Sequence, residues 1–435
     1  MSGTLILGMA RSGQAAARLL MEEGKSPRLA DSKLSQEDLP SALRDLDFRG
    51  GAFREEFFEG IDTLILSPGV PLDSLPVHVA RRRGIRVSGE LEEAFSRTRR
   101  PVMAITGSNG KSTTTTLASL LLEASGLRAP ACGNLGTPLS DAIVNHPDAD
   151  VWVVEVSSFQ AETFSRFHPR SASLLNLTPD HLDRYVSMEA YARAKLACFS
   201  LMKEEDTLVL DESLEERLSF CPSRRLRFSR KDSGGEGAFL LGDDLCLRFG
   251  GKEDRVLPLA ELALAGEHNL LNALAALALS LPLGLKPGAA GDVLREFSGL
   301  PHRMESLGVL GPLNCFNDSK ATNVEATLAS LGKHPRPFRL IAGGRDKGGD
   351  FSLLAGGLPR LKRVYAIGEA SGKILEAFGD RALACETLER AIKKARQEGS
   401  EGEDLILSPA CSSFDQFRDF EDRGDRFRDL IRELS

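Results

Sequence analysis

The stretch Val102-Met103-Ala104-Ile105-Thr106-Gly107-Ser108-Asn109-Gly110-Lys111-Ser112-Thr113 decides the fold. Its four apolar residues predict a buried strand, and the Gly-rich turn after them opens a helical pattern through Thr116 to Ala124. Glycines let backbone N–H groups turn toward phosphate oxygens, at a helix N-terminus whose dipole favours an anion. Lys111 is placed to reach the β- and γ-phosphates of a nucleotide, and the Ser112 or Thr113 hydroxyl to ligate Mg2+. The pattern is shortened, since GxxxxGK[ST] would want glycine where Ile105 stands. A Gly-rich turn with a surface lysine is the plainer alternative, and the flanking strand and helix weigh against it. The threonines Thr113 to Thr116 are poor helix formers, so packing must hold that helix.

Outward from this segment, short apolar runs recur at Leu5 to Leu7, Leu64 to Leu66, Val151 to Val154, Leu174-Leu175, Leu208 to Leu210, Leu340-Ile341, Val364 to Ile367 and Leu405 to Leu407. Runs without alternation, spaced by helical patterns, predict parallel strands covered on both faces, hence an α/β chain of several doubly wound sheets. Arg97 to Pro101 and Ser298 to Pro301 read as seams, giving three domains at 1–97, 98–298 and 299–435. Cys221 to Asp254, rich in Arg, Gly, Ser and Asp, reads as antiparallel hairpins forming a small sheet within the middle domain.

The 435 residues leave room for two to four domains. The net charge of −7 argues against nucleic acid or an anionic membrane as partner. Seven scattered cysteines without a CxxC pair fit buried thiols in a reducing compartment. The N-terminus lacks a basic signal region and no run approaches a membrane span, so a soluble cytoplasmic protein is expected, with monomer as the default.

Further polar residues follow predicted strands, where α/β sheets place ligands. Glu155 ends the run Val151 to Val154, and either a metal site or a dipole-favoured helix start would explain it. His181 and Asp183 follow the predicted strand Ser173 to Leu177, two apart in a loop, and both could approach a divalent cation; a structural or surface histidine is the plainer reading. Gly8-Met9-Ala10-Arg11-Ser12-Gly13 follows the first strand, with Asp31 near the end of the second. This GxxxxG is weaker than GxGxxG, and an ordinary turn stays open.

The ordered set GSNGKST, EVSSFQ, PDHLDRY, Tyr191 to Lys195, GEHNLLNALAA, LPHRME, NDSKATN, GGRDKGGDF and SPACSSFDQF resembles the Mur ligase family, amide-forming ATP-dependent enzymes of cell-wall precursor synthesis. The resemblance covers nearly the whole chain and is strongest for the step that adds D-glutamate to UDP-N-acetylmuramoyl-L-alanine. It implies a dinucleotide-binding-like first domain, a central P-loop ATPase domain with a parallel sheet plus a small antiparallel one, and a Rossmann-like third domain that closes over ATP. ATP and two Mg2+ ions are implied. Catalysis would fall to Lys111, Glu155, His181 and Lys195, with Ser112, Thr113, Glu155, His181 and a carbamylated Lys195 holding the metal. The alternative for Lys195 is an ordinary amphipathic-helix lysine.

By the same resemblance, ATP would lie on Gly107, Ser108, Asn109, Gly110, Lys111, Ser112, Thr113, Asn269, Asn272, Arg303, Asp318 and Lys320. For Asn269, helix capping is a reading that can hold at the same time. The uridylylated substrate would lie on Gly8, Arg11, Ser12, Gly13, Asp31, Ser67, Pro68, Gly69, Asn134, Gly136, Ser157, Ser158, Gln160 and His181. D-glutamate would lie on Thr322, Lys347, Ser413, Phe414 and Phe420. Three rivals stay open at this level: a folylpolyglutamate-type ligase, which needs no separate first domain; a P-loop kinase or regulatory NTPase, which needs no third-domain motif set; and an inactive substrate-holding protein, against which Lys111, Glu155, His181 and Lys195 all stand intact.

Overall fold

The computed structural model of the chain describes residues 3–178, 180–181, 184–264, 266–332, 334–346 and 348–434. It divides into two compact units, residues 1–297 and 298–435.

The first unit holds two sheets. Five parallel strands run in the order Phe48–Gly50, Arg28–Asp31, Gly3–Leu7, Ile61–Leu66, Arg86–Gly89. The second sheet has nine strands, in the order Lys252–Pro258, Asp244–Phe249, Gly237–Leu241, Arg224–Ser229, Thr207–Leu210, Ser171–Leu174, Val102–Thr106, Trp152–Glu155, Ala131–Gly133. The antiparallel strands of the 221–254 region continue this sheet, because Gly237–Leu241 pairs in parallel with Arg224–Ser229 before the hairpins begin. The outermost strand carries Lys252, Glu253, Asp254 and Arg255, all exposed, which discourages edge-to-edge association.

Helices Lys111–Ala124 and Glu267–Ser280 cover one face of the large sheet, burying Leu117, Leu121, Leu274 and Leu277 completely with the strand residues Met103 and Ile105. Thr113, Thr114 and Thr115 are buried in the first of these helices, so packing does hold it against their low propensity. Trp152, Phe167 and Phe199 fill the opposite face. The two sheets are tied within this unit: Arg18 makes a forked pair with Asp141 at 2.8 and 2.7 Å, and the fully buried Glu92 accepts from Ser165 and from the backbone of Arg166.

The second unit has six strands, in the order Glu305–Leu310, Leu313–Asn317, Asp404–Leu407, Phe338–Gly343, Leu361–Ile367, Ala382–Glu386, with only the first pair antiparallel. Leu340, Val364 and Ile406 fill one side of it, and Ile341, Leu405 and Phe427 the other.

All seven cysteines are free and buried. Among the described residues no helix is long and apolar enough to cross a membrane. The strands with no apolar run to announce them, Phe48–Gly50, Arg86–Gly89 and Ala131–Gly133, are only three or four residues long.

The turn after Gly3–Leu7 depends on a close approach. A Cβ at Gly13 would stand 1.9 Å from the Gly8 carbonyl oxygen, which already accepts the Ser67 hydroxyl at 2.9 Å. Gly13→Ala is expected to destabilise the first unit by about 1–3 kcal/mol in denaturant unfolding; an unchanged midpoint would show that this approach is not needed.

Candidate active site

The strand Val102–Thr106 delivers the chain into the turn Gly107 to Gly110, and helix Lys111–Ala124 starts at once. Gly110 has φ +83, a left-handed conformation that favours glycine, and a Cβ there would lie 2.2 Å from Asn272 Oδ1. Asn272 is thus seated against the cradle, with Nδ2 donating to Asn269 Oδ1 at 3.3 Å. Asn176 clamps the cradle from the neighbouring strand end. Its Oδ1 accepts from Asn109 N at 2.9 Å, its Nδ2 donates to Asn109 O at 3.0 Å, and its carbonyl accepts from Ser108 N at 3.1 Å. The Ser108 hydroxyl is held by Thr178, donating to its carbonyl and accepting from its N–H.

Two ammonium groups converge on one oxygen. Lys111 Nζ donates to the Gly107 carbonyl at 2.9 Å and to that of Ser108 at 2.8 Å, and Lys195 Nζ donates to the same Gly107 carbonyl at 2.8 Å. Lys195 is 2% exposed on helix Met188–Leu196. Burial and then the nearby Lys111 charge pull its ammonium down to about 7, against weaker opposition from Asp180 and Glu155. Lys195 thus sits on the buried face of its helix, where an ordinary amphipathic-helix lysine would face solvent.

Glu155 ends Trp152–Glu155 opposite Ile105 and is 2% exposed. Its Oε1 accepts from Asn134 Nδ2 at 2.7 Å, while Oε2 is buried without a hydrogen-bond partner. A buried carboxyl oxygen left open beside a phosphate cradle suits a divalent cation. Ser112 and Thr113, both buried at the helix start, bring hydroxyls to the same end of the strands. Among the described residues no three His, Cys, Asp or Glu side chains form a metal cluster, so phosphate oxygens and water would have to complete the shell.

His181 takes a left-handed backbone at φ +54, a sparsely populated state for a non-glycine residue. Its ring lies 4.8 Å from that of Phe159 and 6.2 Å from that of Tyr191. Tyr191 reaches the cradle, its hydroxyl 3.2 Å from Ser108 Oγ, and its ring lies 4.8 Å from Lys195 Nζ. His181 is thereby joined to the cradle through Tyr191. Asp183 lies outside the described residues.

The first sheet brings another group together. Gly8, Gly13 and Ser67 meet at the end of Gly3–Leu7, with Ser12 next to Gly13 at the start of the following helix, and the Arg11 guanidinium donates to the Gly136 carbonyl at 3.0 Å. Both Asp31 oxygens are engaged by backbone N–H groups of Met9, Lys33 and Leu34; burial pushes this carboxyl up, and those bonds more than offset it, holding it below the usual range. Ser157 and Gln160 cap one another around the short helix Ser158–Ala161. A pocket lined by Ser67, Pro68, Glu90, Phe159, Gln160 and Thr163 joins the two sheets' loops within this unit. Ser158 is buried beside Tyr185, and Gly69 is exposed at the rim of its turn.

In the second unit, Asp318 follows Leu313–Asn317 and is almost fully buried. Burial pushes its carboxyl up to about 6, although Ser408 donates to Oδ2 at 2.8 Å and Met304 N to Oδ1 at 3.3 Å. Arg303 is exposed between His302 and Met304, both in left-handed backbone. Lys320 lies 5.4 Å from the Phe420 ring, and Thr322 donates its N–H to the Lys320 carbonyl. Ser413 is buried, whereas Phe414 is 60% exposed. The buried Arg423 donates to Ser319 Oγ and O and to the Cys411 carbonyl, knitting the loops that carry Asp318 and Ser413. Lys347 lies outside the described residues.

Residues 105–280 match the Mur ligase middle domain and residues 2–89 the MurD-like N-terminal domain of Mur ligases. The chain is similar to the UDP-N-acetylmuramoylalanine–D-glutamate ligase of Koribacter versatilis, 37% identical over 99% of this chain and 97% of that protein. It is 38% identical to the enzyme of that name from Pelotomaculum thermopropionicum, over the same shares. The chain belongs to the Mur ligase family. The UDP-N-acetylmuramate–alanine ligase of Thermotoga maritima shares the fold, with a TM-score of 0.57, 19% identity and full coverage of both chains.

In this Mur ligase, Asn176 and Arg184 organise the loops of the first unit and Arg423 those of the second, and none of the three stands out in the sequence. Asn176 fell in a stretch read as strand, but the strand ends at Leu174 and the next residues form the clamp. The only available signal was a polar residue directly after an apolar run.

The Lys195 ammonium gives a pH signature. Its value in the folded chain lies below the ordinary lysine value, so between about 7 and 10.5 the unfolded chain binds more protons and stability rises with pH. In CO2-free buffer, the wild type should gain up to about 1.4 kcal/mol more per pH unit across that window than Lys195→Met. Fluorescence of Trp152, the chain's one tryptophan, reports this unfolding; parallel pH profiles would contradict it.

Proposed function

We propose that this Mur ligase joins D-glutamate to UDP-N-acetylmuramoyl-L-alanine at the expense of ATP, a cytoplasmic step in peptidoglycan precursor synthesis carried out by a monomer. Near-full-length similarity to ligases of that name supports the substrates. The observation that carries the chemistry is the meeting of Lys111 and Lys195 at the Gly107 carbonyl, close to the open oxygen of Glu155. Residues 1–97 would hold the UDP-substrate, 98–298 the nucleotide and 299–435 the amino acid.

A carboxylate is a poor electrophile, so the γ-phosphoryl group of ATP is first transferred to the alanyl carboxylate, giving an acyl phosphate. Such transfer is driven by positioning and charge neutralisation. Lys111 releases the loop carbonyls to bind phosphate oxygens, and the cradle N–H groups fix the chain of phosphates. Two Mg2+ ions, when bound, would neutralise the charge developing on the phosphoryl oxygens. Glu155 with Ser112 or Thr113 would hold one, and His181 with Lys195 the other. An amine near 7 is substantially neutral at neutral pH, the form that adds CO2 through nitrogen and releases a proton; the resulting carbamate makes Lys195 an anion able to ligate metal.

Asn269 and Asn272 flank the nucleotide, and Arg303, Asp318 and Lys320 contribute ribose and phosphate contacts from the third domain. Thr322, Lys347, Ser413, Phe414 and Phe420 receive D-glutamate, whose amine attacks the acyl phosphate. The tetrahedral intermediate collapses with loss of phosphate. Gly8, Arg11, Ser12, Gly13, Asp31, Ser67, Pro68, Gly69, Asn134, Gly136, Ser157, Ser158 and Gln160 surround the UDP-substrate. Asp31, Ser157 and Gln160 shape that surface through the loops they brace.

Phosphate release from ATP in the presence of UDP-N-acetylmuramoyl-L-alanine should depend on D-glutamate and fail with L-glutamate, meso-diaminopimelate or no amino acid. Release with another amino acid would reassign the step, and basal hydrolysis alone would indicate an NTPase. Lys195→Ala should lower turnover by at least about a hundred-fold with unchanged Trp152 fluorescence; full activity would remove Lys195 from the mechanism.

A further inference from the structure

Arg184 joins three parts of the first unit that the proposed reaction uses. Its guanidinium Nη1 donates to the Pro68 carbonyl at 3.1 Å, in the loop Ser67 to Gly69 after Ile61–Leu66. Its Nη2 donates to Glu162 Oε2 at 2.8 Å, and the Tyr185 hydroxyl donates to the other oxygen of that carboxylate at 2.6 Å. The flat guanidinium also sits over the Phe159 ring, 4.2 Å from its centroid. Phe159 therefore carries Arg184 and the His181 ring at once. The Arg184 backbone N–H donates to the carbonyl of His181, the residue in left-handed conformation, at 3.0 Å.

This arrangement has a cost and a consequence. Arg184 and Glu162 are mostly shielded from water, at 18% and 13% side-chain exposure, so their pairing is held by geometry. The bonds that shape the phosphate cradle come from Asn176, Thr178, Lys111 and Lys195, while among the described residues the Arg184 guanidinium bonds to Pro68 and Glu162. A defect at Arg184 is thus felt first at Pro68 and His181, whereas the hydrogen bonds of the cradle itself do not involve Arg184.

We infer that Arg184 is a positioning residue that sets the Ser67–Gly69 loop and the His181 ring in register, so that the UDP-substrate bound on the loop presents its carboxylate to the histidine side of the cradle. The inference rests on the proposed function. A displacement of an ångström at a reacting centre costs on the order of a hundred-fold in rate. Lysine keeps the charge toward Glu162 and loses both the fork that spans Pro68 and Glu162 and the planar stack on Phe159.

The test compares wild type, Arg184→Lys, Arg184→Met and Glu162→Gln by D-glutamate-dependent phosphate release, with KM measured separately for ATP and for UDP-N-acetylmuramoyl-L-alanine. Arg184→Lys and Arg184→Met should each raise KM for the UDP-substrate several-fold or more and lower its kcat/KM by roughly ten- to a hundred-fold, with KM for ATP within two-fold of wild type. Glu162→Gln should fall between them and wild type. A merely structural role would instead reduce the active fraction, lowering kcat with every KM unchanged. That result, or wild-type kinetics in Arg184→Lys, overturns the inference while leaving the function standing. Should Arg184→Met fail to fold, Arg184→Lys and Glu162→Gln carry the same comparison. A wild type silent with D-glutamate overturns the function and the inference together.

Discussion

The site depends on a single backbone oxygen. The Gly107 carbonyl accepts from both the half-buried Lys111 and the buried Lys195, and the burial of Lys195 weakens the screening of one charge from the other by water. Burial first, and then the Lys111 charge, pull the Lys195 ammonium down to about 7. The loop geometry follows from the same constraint. Lys111 can fold back on Gly107 and Ser108 only because the turn is short and Gly110 adopts a left-handed conformation against Asn272.

From this oxygen the order spreads outward through packed rings. Tyr191 lies beside Lys195 and bonds Ser108, and its ring approaches that of His181. Phe159 continues the line to Arg184 and so to Pro68 in the first sheet's loops. On the opposite flank, Asn134 bonds Glu155 in the loop whose Gly136 carbonyl receives Arg11. Nucleotide-side and UDP-side residues of this unit are thereby parts of one bonded assembly.

Much of this was legible in the sequence. A buried strand, a glycine turn and a helix leave a local signature, so Gly107 to Thr113 could be read directly, and the parallel sheets showed as apolar runs spaced by helices. What escaped was non-local. Asn176 and Arg184 act on partners 67 and 116 residues away, and no pattern within a window of sequence exposes such pairings. Asp31 read as an acceptor for ligand, yet its oxygens are taken by backbone N–H groups of Met9, Lys33 and Leu34. The antiparallel hairpins of 221–254 were legible within the middle domain, and Arg227, Phe228 and Ser229, paired to Gly237, Ala238 and Phe239, join them to the parallel strands in one mixed sheet. Arg423 looks like an exposed helix cation, and only the folded chain shows it buried among the Ser319 and Cys411 carbonyls.

The most direct test of this account is the titration of Lys195 itself, followed by NMR of 13C-dimethylated lysines in CO2-free buffer, with Lys195→Met assigning the signal. One lysine should titrate near 7, well apart from the others, and should move upward in Lys111→Met as the neighbouring charge is removed. A Lys195 signal titrating near 10.5, indifferent to Lys111, would contradict the claim that the shared Gly107 carbonyl governs this site.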